Sequence, residues 1–339
     1  MVIEHDVDLT PYTTFGFKQR AAHFVEVDGE QALLEAVRHA QQRHWPILAL
    51  GGGSNLVFTR DFPGLVIRQI DSSVRYTDAT DGNGTHVTSS AGVLWHELVM
   101  DTVDRDFIGL ENLSLIPGQV GAAPVQNIGA YGVELCDRFV ALRALHVPTG
   151  EWLTMTAEEC HFSYRDSLFK RQQDEYIIGQ VTLHIGGDLE LNTEYRALAE
   201  YLASHFQDRR PDVKLVSESI CAIRTSKLPD PARLPNAGSF FHNPVVSRSH
   251  YTDLLQNYPD MIGYPQENGS YKLAAGWLID KLGYKGYRQN GVGVHGKQAL
   301  VLIKYHQTDA VALIRLAEKI RDHVLQEFQV SLKIEPRIL

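Results

Sequence analysis

The sequence predicts a chain of mixed helices and strands in two or three domains, on three observations. Its 339 residues are enough for a large buried core and more than one domain. Its composition, 44% hydrophobic and 22% charged, is ordinary for a globular protein. Strand-like and helix-like periodicities are interleaved along it, with no internal repeat and no low-complexity tract.

In chain order, Asp28 and Gln31 occupy the first and fourth positions of a capping box, and Leu33, Leu34, Val37 and Ala40 follow at helical spacing. Ile47 to Leu50 reads as a short apolar strand running into Gly51-Gly52-Gly53-Ser54-Asn55, then Leu56-Val57-Phe58. From Ile70 to Gly187 short strands alternate with long glycine-bearing loops; Phe139 to Val147 and Tyr176 to Ile185 read as strands. Arg209-Arg210-Pro211-Asp212 reads as a linker. Helical spacing follows at Val216 to Thr225 and Leu273 to Leu282, and a strand pattern at Gln298 to Tyr305. Thr308 is placed to cap a long helix with apolar positions Leu313, Leu316, Ala317, Ile320, Val324 and Phe328. The tail Val330-Ser331-Leu332-Lys333-Ile334 alternates as a half-buried strand; continued, it puts Ser331, Lys333, Glu335 and Arg337 on one face.

Lys and Arg number 32 against 41 Asp and Glu, a net charge of −9. That balance argues against a nucleic-acid binder but allows a local basic pocket for an anionic small molecule. Cys136, Cys160 and Cys221 are widely spaced and form no Cys-x-x-Cys pair, the usage of reduced thiols. The start is too acidic for a signal peptide and no apolar run reaches membrane length, so a cytoplasmic protein without membrane insertion is expected. Fifteen histidines show no metal-binding spacing, and no Gly-x-Ser-x-Gly elbow surrounds a serine, so neither a metal site nor a hydrolase triad is expected.

Five segments carry chemistry. Gly51-Gly52-Gly53-Ser54-Asn55 could cradle phosphate oxygens with unshielded backbone N–H groups, or be a plain tight turn. It is no Rossmann fingerprint, because G-x-G-x-x-G is missing and a strand-like run follows. Ser114 to Gly132 holds four glycines, two prolines and almost no charge. It suits a backbone pressed against a flat ligand, or a buried structural loop. In Phe162-Ser163-Tyr164-Arg165-Asp166-Ser167, Arg165 offers a planar fork for carboxylate or phosphate, or a surface ion pair. Arg224-Thr225-Ser226-Lys227 places two cations at a helix end, for a diphosphate or for the helix dipole. In Asn236-Ala237-Gly238-Ser239-Phe240-Phe241-His242-Asn243-Pro244, a glycine frees the backbone before Ser239 and two phenylalanines can anchor its far side. Glu335 and Arg337 continue the alternating tail.

In their joint order these segments, with Thr13-Thr14-Phe15-Gly16, Lys227-Leu228-Pro229 and Lys272-Leu273-Ala274-Ala275-Gly276-Trp277-Leu278-Ile279, closely resemble the UDP-N-acetylenolpyruvoylglucosamine reductase family. The spacing and the Tyr195 segment resemble its longer variant, in which a tyrosine-bearing loop closes over the substrate. The resemblance spans nearly the whole chain. It implies an α+β FAD-binding fold of the vanillyl-alcohol-oxidase type in two subdomains, 1–69 (joined by the tail 329–339) and 70–210, plus a substrate-binding α+β domain, 211–328. It implies tightly bound FAD and NADPH as reductant, with NADPH and a UDP-sugar enolpyruvyl ether using one site in turn. A monomer is expected.

The resemblance also implies roles. Hydride from reduced flavin would add to the terminal enolpyruvyl carbon. Ser239 would protonate the adjoining carbon, Arg165 would clamp the charge that builds there, and Glu335 would sit beside it as the third catalytic residue. Cofactor contacts fall on Gly51, Gly52, Gly53, Ser54, Asn55, Pro117, Gly118, Gly121, Ala122, Gln126, Asn127, Gly129, Tyr131, Gly132 and Arg337. Substrate contacts fall on Tyr164, Tyr195, Lys227, Asn243, Lys285 and Gln298. Two positions depart from the family pattern. His242 stands where lysine is usual, altering the local charge near Ser239, and the tail reads Ile-Glu-Pro-Arg, with the proline after the glutamate. Phe328, Val330, Leu332 and Arg337 hold the register of that tail. The alternatives are another oxidoreductase of the same fold, which has no need of Asn-Ala-Gly-Ser-Phe-Phe, and a non-catalytic flavin binder, which has no need of Ser239, Arg165 and Glu335 together.

Overall fold

The computed structural model describes residues 1–207 and 209–339. Asp208, inside the expected 70–210 segment, lies outside the described residues. The chain forms two compact units. The first comprises Met1–Val7, Ala21–Gly52 and Phe62–Ser226, and the second Asp8–Arg20, Gly53–Asp61 and Lys227–Leu339.

Two large sheets dominate the first unit. In one, the strand Phe62–Gln69 lies between Arg20–Val27 and Ile47–Ala49 and runs parallel to both. The helix Gly29–Gln42 covers it, because Leu33, Ala36, Val37 and Ala40 recur on one face and are buried against Val25, Leu65 and Ile67. The expected capping box does not form: Asp28 is the N-cap residue but its side chain makes no cap bond, and Gln31 donates instead to Glu35. The second sheet is antiparallel, in the order Glu151–Met155, Phe139–His146, Tyr176–Ile185, Thr85–Ser90, Val74–Asp78. Tyr176–Ile185 matches its expected bounds. Its central place in the sheet explains why more than alternate residues are buried.

The sequence boundary at 69/70 falls between these two sheets. The helix Val213–Lys227 packs with Arg196–His205 through Leu198, Leu202, Val216 and Ile220 in the first unit, although the third sequence segment begins at 211. The three-part division is kept as a proposal. Asp212 starts this helix: its side chain accepts from Leu215 N at 2.7 Å and pairs with Arg209 at 2.8 Å. Cys160 is fully buried, and burial pushes its thiol up to about 12.

The second unit is built on a sheet ordered Asn236–Ser239, Val301–Lys304, Val292–Val294, Arg288–Gln289. The helix Ala310–Phe328 packs on it with Leu313, Ala317, Ile320 and Val324 buried. This helix is capped by Asp309, which accepts from Ala312 N at 2.9 Å. Thr308, the expected cap, instead donates its hydroxyl to Asn290 O at 3.0 Å. The tail alternates in burial as expected, but Val330–Ile334 forms no strand ladder. It contributes one isolated bridge, Ile334 to Phe241, before the short strand Arg337–Ile338. No helix among the described residues is long and apolar enough to cross a membrane.

Candidate active site

In the first unit the two glycine-rich segments meet backbone to backbone. A Cβ on Gly52 would lie 3.0 Å from Gly118 Cα, and one on Gly51 would lie 3.4 Å from Ala122 Cβ. Gly121 is excluded from growing by Ala91, 2.5 Å away. Gly52, Pro117 and Ala122 are exposed. The result is a shallow, uncharged surface of bare backbone, a cradle that side chains would fill. It suits a nucleotide cofactor with a pyrophosphate, whose oxygens accept from N–H groups.

Several non-glycine residues flanking the cradle, and Arg165, carry positive φ. The values are 59° at Leu115, 43° at Asn127, 49° at Tyr131 and 54° at Arg165. Non-glycine residues held there cluster where surrounding structure over-determines them, often at functional sites. Tyr131 and Gly132 (φ 82°) form the two-residue turn between the strands Gly129–Ala130 and Val133–Glu134. Positive φ at both positions is the mirror-image turn that matches strand twist. Asn112 holds it by donating to Tyr131 O at 2.9 Å, and Tyr195 packs edge-on to the Tyr131 ring at 5.3 Å. Asn127 is buried, ends the 3-10 helix Val120–Gln126, and donates to Glu134 at 2.8 Å. Gly132 packs against Asn192, and Gln126 is half-buried.

Arg165 lies in the turn closed by mutual Ser163–Asp166 backbone bonds of 3.0 and 3.1 Å. Its guanidinium donates to Gly129 O and to Asn127 O at 3.4 Å, lies 3.6 Å from Glu134, and stacks over Tyr164 at 5.2 Å. The expected cofactor segment and the expected catalytic arginine are therefore physically joined. Tyr164 and Tyr195 are both exposed.

A second arginine completes this cluster. Arg224 is half-buried, and its Nε is fully enclosed with no hydrogen-bond partner among the described residues. Burial, the largest cause, lowers its proton affinity; Tyr131 and Cys221 oppose that and the Arg165 guanidinium adds to it. Burial and the Arg224 charge also lower the proton affinity of His96, whose Nδ1 accepts from Leu115 N at 3.0 Å. A buried cation without an internal partner fits an anionic ligand. Sequence reasoning saw Arg224 only as one of two cations at a helix end; the helix face that carries it inward was the missed cue. Arg224→Met is expected to leave the melting temperature unchanged or higher, since no internal bond is lost. It should raise KM for an anionic substrate at least about tenfold, as steady-state kinetics with thermal melts would measure.

In the second unit Ser239 ends the strand Asn236–Ser239 opposite Val301. Asn236 shapes the approach. Its Oδ1 accepts from Gly238 N at 2.8 Å, and its Nδ2 donates to Leu234 O at 2.8 Å and Pro229 O at 3.2 Å. Gly238 has φ of 67°, which a side chain would resist. Phe240 and Phe241, both buried, anchor the following residues. The tail docks on that stretch: Glu335 N donates to Phe240 O at 3.0 Å, and His242 N to Lys333 O at 2.9 Å. Glu335 thus reaches the residue next to Ser239. Asn243 Oδ1 caps the helix Ala275–Lys281 by accepting from Ala275 N at 3.0 Å.

Gln298 accepts from Leu300 N at 3.3 Å and faces Gly276. Lys285 pairs with Asp280 at 2.7 Å, and Lys227 is exposed. Gly53 presses on Tyr12 and accepts from Thr14 N at 3.2 Å, while Arg337 N donates to Asn55 O at 3.0 Å. Ser54 and Asn55 lead into Leu56–Val57, which pairs with the tail strand Arg337–Ile338. These contacts gather the second unit's share of the expected cofactor residues around the tail.

Comparison with known proteins matches two stretches of the chain. Residues 21–156 match the FAD binding domain family, and residues 230–339 match the C-terminal domain of UDP-N-acetylenolpyruvoylglucosamine reductase. The chain is 44% identical over 334 residues to the UDP-N-acetylenolpyruvoylglucosamine reductase of Pseudomonas fluorescens (strain Pf0-1), covering 98% of each chain. It is 47% identical over 331 residues to that of Ralstonia nicotianae, covering 97% of this chain and 96% of the relative. The crystal structure of UDP-N-acetylenolpyruvylglucosamine reductase from Thermus caldophilus has the same fold, with a TM-score of 0.69, 24% identity, and 100% and 99% of the chains covered.

Proposed function

Because the chain belongs to the UDP-N-acetylenolpyruvoylglucosamine reductase family, an FAD-dependent oxidoreductase family of peptidoglycan precursor synthesis, we propose that it reduces UDP-N-acetyl-3-O-(1-carboxyvinyl)-glucosamine to UDP-N-acetylmuramate with electrons from NADPH. The observation that supports this most directly is the docking of the tail on the Ser239 segment, where Glu335 N meets Phe240 O at 3.0 Å.

FAD, when bound, supplies the hydride to the terminal carbon of the enolpyruvyl group. The backbone of Gly51, Gly52, Gly118 and Ala122 would hold its pyrophosphate region, and Asn127, Gly129 and Tyr131 would shape the neighbouring wall. Arg165 and Arg224 offer two cations where the substrate's carboxylate and its developing charge need neutralising. Ser239 donates a proton to the carbon beside that carboxylate. Glu335 would sit beside the same charge as the third catalytic residue. Tyr164, Tyr195, Lys227, Asn243, Lys285 and Gln298 would line the path of the UDP-sugar. NADPH would reduce the flavin at the same site before the sugar nucleotide enters. A cytoplasmic monomer is the state in which we expect it to act.

The purified protein should be yellow. Anaerobic stopped-flow should show bleaching by NADPH and recovery of colour with the enolpyruvyl substrate. Bleaching without recovery would remove the proposed acceptor, and a colourless protein that takes up no FAD would remove the whole reading.

A further inference from the structure

The side chains of His242 and Glu335 face each other on adjoining segments. His242 Nδ1 lies 3.9 Å from Glu335 Oε2, and the two side chains are only 11% and 12% exposed. Their approach is not a chance of two flexible side chains. It is imposed by the antiparallel contact of the two segments: Phe241 bridges Ile334, His242 N donates to Lys333 O, and Glu335 N donates to Phe240 O. His242 and Glu335 are diagonal neighbours across that contact, close enough for opposite charges to couple.

We propose that His242 and Glu335 form a largely buried acid–base pair that holds one proton between them, so that His242 is a positioning residue setting the charge on Glu335. This deepens the proposed function and rests on its reading of Glu335 as a group beside the reacting carboxylate.

Two effects compete here: burial penalises both charged forms, and the 3.9 Å approach of the two groups offsets that penalty. An imidazolium beside a carboxylate stabilises both charged forms, raising the proton affinity of the histidine and lowering that of the glutamate. Away from water the coupling is less screened, and an uncompensated carboxylate is costly. Histidine is the side chain whose charge can be removed near neutral pH. Other charged side chains on the segments packed here include Lys333 and Arg337 of the tail, Lys272, opposite Val245 on the adjoining small sheet, and Lys304 on the strand beside Asn236–Ser239. Lysine and arginine side chains ordinarily titrate well above this window. As pH rises through the histidine titration the pair loses its proton, and the positive charge of His242 beside Glu335 is withdrawn. Negative charge building on the substrate would then meet the Glu335 anion, so the step that returns the flavin to its oxidised form slows at alkaline pH.

Two measurements test this on the FAD-loaded enzyme. The first follows histidine titrations by NMR, with His242 assigned by its loss in H242Q. In E335Q the His242 midpoint should fall by about one pH unit or more. A midpoint unchanged within about 0.3 unit would overturn the pair, whatever the fate of the proposed reaction. The second measures flavin reoxidation by the enolpyruvyl substrate from pH 5.5 to 9. The wild type should lose rate as His242 deprotonates, H242K should extend the fast plateau to higher pH, and H242Q should be slow without that limb. Profiles of H242Q and wild type that superimpose would also overturn the proposal. If the NMR shift appears but E335Q reoxidises like the wild type, the two groups are paired, yet Glu335 has no part in the reaction. That result overturns the positioning role through a failure of the proposed function rather than of the geometry.

Discussion

Ser239→Ala is expected to leave reduction of the flavin by NADPH nearly intact and to slow its reoxidation by the enolpyruvyl substrate about 10²–10⁴-fold. The asymmetry follows from the proton count. Hydride transfer from NADPH to the flavin needs no proton at the substrate carbon, whereas saturating the enolpyruvyl double bond needs one. Ser239 is suited to deliver it from a fixed position. It closes a strand, opposite Val301, and is preceded by a turn that Asn236 fixes with three hydrogen bonds. Two buried phenylalanines follow it. Removing one oxygen should leave that frame intact, so binding should change little and the loss should appear in the rate of the second half. Single-wavelength stopped-flow on each half separately makes the comparison. Equal slowing of both halves would refute the role given to Ser239.

Gly53→Ala should give a protein that no longer retains FAD on purification, with a loss of about 2–5 kcal/mol in stability. Gly53 has φ of 59°, and a Cβ there would lie 2.1 Å from Tyr12 O and 2.7 Å from Thr13 Cα. Both obstacles are backbone, and the Thr14 N to Gly53 O bond of 3.2 Å ties the two stretches together. The new methyl group must push the glycine loop out of register with the following strand. Gly82→Ala is the control. Its φ of 74° carries similar strain, but nothing lies within 4 Å of the added atom, so a cost of about 1 kcal/mol with full FAD retention is expected. Flavin-to-protein absorbance after gel filtration, with denaturant melts, separates the two. If Gly53→Ala keeps its flavin, the loop is not part of the cradle.

Much of this was legible along the chain. The long helix could be read from its apolar spacing, and Ala310–Phe328 buries the residues that the spacing singled out, because a 3.6-residue period leaves one stripe for the core. The strand Tyr176–Ile185 was bounded correctly by its β-branched content and by the glycine pair that follows. Local capping was less legible. Thr308 and Asp309 are both good caps, and only the nearby Asn290 carbonyl, eighteen residues back, takes the threonine hydroxyl away. The turn at Tyr131-Gly132 was hidden because tyrosine rarely adopts positive φ; Asn112 and Tyr195, from other parts of the chain, hold it there.

The order of glycine, proline and aromatic residues along the sequence was enough to determine the family and the FAD-binding α+β class, since backbone freedom and periodicity are properties of neighbours. What waited for the folded chain was the company each charge keeps. Arg224 turns inward, and Glu335 comes to lie against His242. A charge's energy depends on distance and on exclusion of water, and both are fixed only when remote segments hydrogen-bond to one another.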